Sequence, residues 1–279
     1  MKPLDTAYTH ILTPEHAKKM LSEKDLQVFL GMSEREREER LHELLTRPIA
    51  TFTPINELYF RSKWAELFAL RHAGEPLTLL EIASGDADMI PQTLSRTNPT
   101  SDYLTANMNV KLNESLLRRT EGLDIKLRLI DDDAANIKQY VADGSVDIVA
   151  FQHGANDVIQ AILCGQHGVD TIHTDWMKTL PKMIELLQEE EKRGTLEANT
   201  KAPFLALLAD LLDLLKPNGI IAIHHYMFQL DLDWGYPPAL FENIVPMVRA
   251  WTRELEGGQE VELEGFEGQW WLFLQRKTV

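Results

Sequence analysis

The first 76 residues read as helical and hold no convincing strand. Thr13-Pro14-Glu15 supplies an N-cap with proline at the first helical position, where a missing N–H costs nothing. Ser33 followed by Glu36 is a capping-box pattern, and it opens a strongly charged helix through about Thr46. Pro54 begins a longer segment in which Leu58, Trp64, Leu67, Phe68 and Leu70 lie broadly on one face, and Gly74 ends it.

From Leu77 short apolar runs alternate with amphipathic segments, the rhythm of strands joined by crossover helices. Strands are predicted at residues 77–83, 102–107, 125–130, 146–152 and 218–225. Helices are predicted at 88–97, 110–120, 134–142 and 201–216, the last stopped by Lys216-Pro217-Asn218-Gly219. A final helix near 238–255 precedes two strand-like segments, 259–265 and 269–276, close enough to pair as an antiparallel hairpin. About fifty residues separate the fourth strand from the 201–216 helix, where a simple crossover needs roughly a dozen or two. This insertion, about 154–200, holds Gly154, His167, His173, Trp176 and the charged helix Leu186–Arg193. Long insertions after the carboxyl end of a strand usually shape the site above the sheet.

At 279 residues, with 44% apolar and 25% charged positions, the chain can bury a substantial core. The division it suggests is an N-terminal helical extension, 1–76, before an α/β domain, 77–279. Its 28 basic against 43 acidic residues give a formal charge of −15, which argues against a nucleic-acid partner. Arg35-Glu36-Arg37-Glu38-Glu39-Arg40 mixes both signs and reads as a solvated helix face. Cys164 is the only cysteine, so neither an intrachain disulfide nor a cysteine-based metal cluster can form. Met1-Lys2-Pro3-Leu4-Asp5 has no apolar signal segment, and no run approaches the ~20 apolar residues that span a bilayer. The expectation is a cytoplasmic protein with no membrane partner.

The first four predicted strands each end in small or polar residues, and in a parallel sheet those ends converge on one crevice. They are Ser84, Gly85 and Asp86 after the first, Asn107 and Asn109 after the second, and Asp131-Asp132-Asp133 after the third. Gln152, His153, Asn156 and Asp157 follow the fourth, and the fifth adds His224, His225 and Tyr226. The run from Leu77 to Asp88 is a strand, a tight turn and a helix start, the place where open α/β sheets hold a nucleotide-like ligand.

The order and spacing of these segments resemble the class I S-adenosylmethionine-dependent methyltransferases over residues 55–279, about four-fifths of the chain. The resemblance implies a Rossmann-like, doubly wound, mostly parallel seven-stranded sheet with a C-terminal antiparallel hairpin. It implies S-adenosyl-L-methionine as cofactor. Glu81-Ile82-Ala83-Ser84-Gly85-Asp86-Ala87 stands where the family has an acidic residue and a Gly-x-Gly-x-Gly turn, with alanine at two glycine positions. Glu81, Ala83, Ser84, Gly85 and Asp86 are thereby implicated around the methionine part and ribose. Alanine resists positive φ, so both alanines are expected at negative φ. Asn107 takes the place of the family's ribose-binding acid, with Asn109 beside it. Its amide carbonyl accepts a hydroxyl without charge assistance. Asp133 and the backbone of Ala134 correspond to the adenine contacts, and Gln152-His153-Gly154 to the segment over the transferable methyl. Leu214-Leu215-Lys216-Pro217-Asn218-Gly219-Ile220 resembles the turn before strand five. The segment entering strand one often folds over the cofactor in this family, which implicates Tyr59 and Arg61; helix packing is the plainer reading of both.

His153 is the leading general-base candidate, because an imidazole titrates near neutrality, and His225 is second. His224 and His225 sit on opposite faces of a strand, so at least one of them packs within the fold. One of Asp131, Asp132 and Asp133 is expected to cap a helix, and Trp270-Trp271 reads as hairpin core. His167 and His173 are six apart and no His-Glu-x-x-His helix exists, so the expected site is metal-independent. The insertion and the N-terminal helices are expected to close over a small-molecule methyl acceptor. Three other readings stay open. A dehydrogenase needs Gly-x-Gly-x-x-Gly, which Ala83-x-Gly85-x-x-Asp88 fails at its ends. An aminopropyl transferase shares the sheet, with Asp131, Asp132 and Asp157 imitating polyamine-binding acids. The third is a non-catalytic protein that binds S-adenosylmethionine or a nucleoside.

Overall fold

The apolar runs from Leu77 onward build one sheet with helices on both faces. A computed structural model describes residues 6–46 and 52–277; Met1 to Asp5, read above for a signal segment, lie outside the described residues. A 3₁₀ turn, Thr6–Leu12, precedes α1 (Pro14–Met20), α2 (Glu23–Gly31), α3 (Glu34–Thr46) and α4 (Pro54–His72). The alternating part runs β1 (Thr78–Ile82), α5 (Met89–Thr97), β2 (Ser101–Ala106), α6 (Val110–Arg119) and β3 (Ile125–Ile130). A 3₁₀ segment, Ala134–Gln139, leads to β4 (Val146–Gln152), followed by α7 (Gly154–Gln166), α8 (Trp176–Arg193) and α9 (Leu196–Leu214). The chain ends with β5 (Leu215–His224), α10 (Gln229–Trp234), α11 (Pro238–Glu242), α12 (Ile244–Thr252), β6 (Gly258–Val261) and β7 (Trp271–Arg276).

The sheet has seven strands in the order β3-β2-β1-β4-β5-β7-β6. β1 to β5 are mutually parallel, and β7 pairs antiparallel with both β5 and β6. This is the mostly parallel, seven-stranded sheet with a C-terminal antiparallel hairpin that the resemblance implied. The chain reverses its direction of travel between β1 and β4, so a crevice opens above their carboxyl ends.

The two-residue period of the strands divides the core. Leu80, Ile82, Val149, Phe151, Ile221 and Ile223 meet the helices of the insertion and α12 on one face. Leu79, Tyr103, Ile148, Ala150, Ile220 and Ala222 meet Trp64, Leu67 and Phe68 of α4 on the other. The N-terminal helices form a third cluster in which Met20, Phe29, Leu41 and Leu44 pack with Leu58, Tyr59 and Phe60 of α4 and with Tyr226. Among the described residues no helix is long and apolar enough to cross a membrane.

Several boundaries differ from the pattern-based expectation. The 238–255 helix is two helices broken at Asn243, because Pro246 has no N–H to offer the carbonyl of Glu242. The 134–142 helix is only a 3₁₀ turn capped by Asp133. The 201–216 helix starts earlier, at Leu196, with Pro203 inside it, and its partner strand begins at Leu215. The strand crosses Lys216-Pro217-Asn218-Gly219 with a register shift against β4. The 259–265 strand ends at Val261, where the chain turns back through a Phe266 N–H bond to Leu263. The insertion yields all of α7 and α8.

Candidate active site

One cavity of about 950 Å³ sits above the carboxyl ends of β1, β2 and β3 and is roofed by the insertion. That volume lies at the upper end of the range for small-molecule sites, roughly 300–1,000 Å³. Ala83, Ser84, Gly85, Asp86, Asn107, Asn109, Asp133 and Ala134 all line it. Eight residues drawn from three separate strand ends thus come together.

The turn after β1 departs from expectation at one alanine. Ala83 has a φ of 56° and Gly85 a φ of 59°. Ala83 still donates its N–H to Ala106 across the strand pair, so the left-handed kink follows the last sheet bond. Space is short beside this turn: a Cβ on Gly154, at the start of α7, would run into the carbonyl of Ile82 and lie 3.4 Å from the Cβ of Ala83. Ser84 hydrogen-bonds Thr105 at 2.8 Å, which ties the turn to β2. Asn107 donates Nδ2 to the Gly85 carbonyl at 2.8 Å, which ties the end of β2 to the turn after β1. Asp86 accepts from Ser115 and pairs with Arg119 at 3.4 Å.

Asn109 holds the roof. Its Oδ1 caps α6 at the Leu112 N–H, while its Nδ2 donates to the carbonyls of Thr171 and Thr174, both at 2.9 Å. Val110 adds a backbone bond to Ile172, and Lys111 pairs with Asp175 at 3.6 Å. Thr171, Asp175, Trp176 and Met177 face the cavity from this strap. Among the described residues, those of the insertion cross the site, and none of the described residues before Leu77 lines it. Asp133 uses Oδ1 to cap the Ala135 N–H at 2.9 Å.

The remaining sequence candidates lie outside the cavity wall. Glu81 is buried beneath the floor and accepts from the Tyr103 hydroxyl at 2.6 Å; burial pushes its carboxyl up to about 8, against the lowering effect of that bond. Gln152 points to the α4 face and accepts from the Trp64 indole at 2.6 Å. Tyr59 donates to Glu267 at 2.6 Å. Arg61 pairs with Glu57 and reaches Gln92 at 3.1 Å. Both therefore make helix-packing contacts.

His153 and His225 belong to an aromatic cluster past β4 and β5. The His153 ring stacks on Phe228 at 5.0 Å and lies 4.8 Å from His225, which meets Phe241 at 4.6 Å. His224 packs between Phe60 and Trp271. The ring nitrogens of His224 and His225, and Nε2 of His153, have no hydrogen-bond partner of good geometry among the described residues. Burial lowers all three imidazoles, His153 to about 4, so they are neutral at physiological pH. Among the described residues no group of three or more His, Cys, Asp or Glu side chains is placed to hold a metal ion.

Asp157, read in the sequence only among the polar residues after the fourth strand and as an imitation of a polyamine-binding acid, lines the cavity from the first turn of α7. Burial pushes it up to about 7, and the charge of Asp231 adds to the rise. Its sequence signal was weak, because an acid in the first turn of a helix already has a structural reason to be there. Trp176 and Trp234 also line the cavity, from segments whose position the strand pattern does not fix.

No family model matches the chain, and no curated protein matches it in sequence. In structure it is similar to a protein from Methanococcus maripaludis named as a candidate S-adenosyl-L-methionine-dependent methyltransferase. That pair shares 12% identity, covering 89% of this chain and 99% of the other, with a TM-score of 0.49. It is also similar to a methyltransferase from Thiobacillus denitrificans in complex with S-adenosyl-L-homocysteine, at 18% identity, 80% and 72% coverage and a TM-score of 0.37. A candidate rRNA methylase from Clostridium thermocellum is similar at 10% identity, 78% and 95% coverage and a TM-score of 0.46. The likeness is one of fold alone, and the fold rests on this chain's own strand order.

Proposed function

We propose that the protein transfers the methyl group of S-adenosyl-L-methionine to a small-molecule acceptor bound in the same cavity. The observation that carries this reading is the convergence of the Gly85 turn, Asn107 and Asp133 on one roofed cavity of about 950 Å³. The residues fit the cofactor. Asn107 is anchored through Nδ2 and keeps its carbonyl oxygen for a ribose hydroxyl. Asp133 is anchored through Oδ1 and keeps its second oxygen for the adenine amine. Ser84 and Gly85 bring backbone to the methionine end. Bound there, the cofactor supplies an electrophilic methyl on a sulfonium.

The chain's own part is to orient the acceptor, exclude water and take its proton. The roof latched by Asn109 does the second. Asp157 is the first candidate for the third, because it lines the cavity and titrates near neutrality. His153, four residues earlier, is the second candidate, and His225 sits behind it. The enclosed cavity and the formal charge of −15 support a small acceptor over nucleic acid. The single buried cysteine fits a reducing, cytoplasmic setting.

Titration calorimetry tests the reading. S-adenosyl-L-methionine and S-adenosyl-L-homocysteine should both bind, and Asp133→Ala should weaken both by about tenfold or more. Absence of binding of either at millimolar concentration overturns it. His153→Ala and Asp157→Asn should retain homocysteine-product binding, and whichever loses turnover carries the proton.

A further inference from the structure

α7 is apolar on two faces, and the core takes only one of them. Ala155, Ile159 and Leu163 are buried with Phe151 and Ile223. On the other face Asp157, Val158, Ala161, Ile162, Gly165 and Gln166 line the cavity. Spacings of one and four residues put these on two adjacent rows of one helix surface. A helix packed by a single face ordinarily turns polar residues outward on the other. Here the middle of the second face is Val158, Ala161 and Ile162, and polar side chains stand only at its ends. At the outer end the Gln166 amide is spent on the Asn199 carbonyl at 2.9 Å. Asp157, at the inner end, is the charged group of this wall.

From Asp157 to Gly165 the wall runs about 12 Å, at the helical rise of about 1.5 Å per residue. Asp157, Val158, Ala161 and Ile162 are half-buried, whereas Gly165 and Gln166 are exposed, so the wall leads from the interior to an opening. Met177 and Trp234 also line the cavity while 53% and 41% exposed, which leaves apolar area at its mouth for an occupant to cover. The strap that Asn109 holds passes over the cavity, so the wall admits a small molecule rather than another protein surface. Lys111 is engaged by Asp175 at 3.6 Å, and no other basic residue lines the cavity, so an anion finds no counter-charge. The volume of about 950 Å³ is about three times the roughly 300 Å³ at which small-molecule sites begin, which leaves room for a second molecule beside the cofactor.

We propose that the α7 wall is the seat of a flat, apolar ring system that lies along Val158, Ala161 and Ile162. Its single hydrogen-bond donor meets Asp157 and its far end reaches the mouth at Gly165. As the methyl acceptor it rests on the methyl-transfer reading: the donor atom gains the methyl carbon, the sulfur–carbon bond breaks, and the donor's proton goes to Asp157. As a ligand it stands by itself.

The test uses the full chain saturated with S-adenosyl-L-homocysteine, titrated with phenol, 2-naphthol and sodium 2-naphthoate. 2-Naphthol should bind about tenfold or more tightly than phenol, because its second ring covers more of the apolar wall. 2-Naphthoate, similar in area but anionic and without a donor, should bind about tenfold or more weakly than 2-naphthol. Gly165→Leu closes the outer end. A Cβ there meets nothing within 4 Å, and leucine favours a helix more than glycine does, so the variant should fold. It should cost about tenfold in 2-naphthol affinity and change phenol and S-adenosyl-L-homocysteine affinity by less than about threefold. If it fails to fold, Ile162→Ala serves, with the larger loss again expected for 2-naphthol. Equal affinity for phenol and 2-naphthol, 2-naphthoate as tight as 2-naphthol, no 2-naphthol binding by about 1 mM, or an unchanged 2-naphthol affinity in the variant overturns the proposal. Competition between 2-naphthol and S-adenosyl-L-homocysteine also overturns it, since the wall then belongs to the cofactor. Failure of S-adenosyl-L-homocysteine itself to bind is a separate result that counts against the methyl-transfer reading; the same titrations of the unliganded chain then decide the proposal.

Discussion

Past β1, β2 and β3 the chain ends in Gly85, Asn107 and Asp133, which surround an open cavity of about 950 Å³. Past β4 and β5 it ends in His153, His224 and His225, packed against Phe60, Phe228, Phe241 and Trp271, with Nε2 of His153 and both ring nitrogens of His224 and His225 unpartnered among the described residues. The first region keeps polar atoms available and builds walls around them. The second fills its space with aromatic rings and leaves polar atoms stranded. A histidine at a strand end is therefore no better a marker of a site than an asparagine; what matters is whether the next segment folds over it or away. Here the Asn109 latch carries the insertion over the first region, while Phe228 and Phe241 fold down onto the second.

The two regions respond to pH with opposite sign. Glu81 and Asp157, on the cavity side, have folded pKa values above their unfolded ones. The folded state binds more protons there, so their stabilising contribution is lost as pH rises through about 4 to 8. The histidines have folded values below the unfolded 6.5, and their contribution is lost as pH falls below it.

Four substitutions break or sharpen this contrast. Gly154→Ala strikes the joint that the regions share, because its Cβ meets the Ile82 carbonyl. It should cost about 3 kcal/mol or more, read by urea unfolding. Glu81→Gln should leave the Tyr103 bond in place and stabilise the protein at pH 8 by on the order of 2 kcal/mol, with the gain gone by pH 5. A gain that persists at pH 5 removes ionisation as its cause. Asn109→Ala should cost about 1 kcal/mol of helix cap and, by freeing the strap, speed the dissociation of S-adenosyl-L-homocysteine in stopped flow. His224→Leu should stay within about 1 kcal/mol of the parent at pH 7.5, gain on it at pH 5.5, and leave product binding alone. Loss of product binding in that variant erases the distinction between the two regions.

Much of the fold was legible because parallel strands buried on both faces must be apolar throughout. The 77–83, 102–107, 125–130 and 146–152 runs match β1 to β4 within a residue or two. Cavity residues on strand ends, Gly85, Asn107 and Asp133, were legible for the same reason, since the sheet itself carries them to one edge. What could not be read depended on contacts distant in sequence. The fate of Glu81 is set by a tyrosine hydroxyl on the neighbouring strand. The task of Asn109 is set by carbonyls some sixty residues later. The room beside Ala83 depends on a glycine seventy residues on, where a Cβ would crowd it. Asp157 and Trp234 reach the cavity through helices of the insertion and of the segment after β5, whose directions no strand period encodes.

The six tryptophans separate the two regions in a single spectrum. Trp176 and Trp234 line the cavity, whereas Trp64, Trp251 and Trp271 are buried in the core and Trp270 packs beside Tyr226. Indole N–H resonances of the ¹⁵N-labelled protein, assigned by single substitution, should be followed as S-adenosyl-L-homocysteine is added. The expected result is a saturable shift of Trp176, with Trp234 following to a smaller extent, and fixed positions for Trp64, Trp251, Trp270 and Trp271. A silent Trp176 at millimolar ligand, or a shift centred on Trp271 beside His224, would contradict the assignment of the cofactor to the cavity.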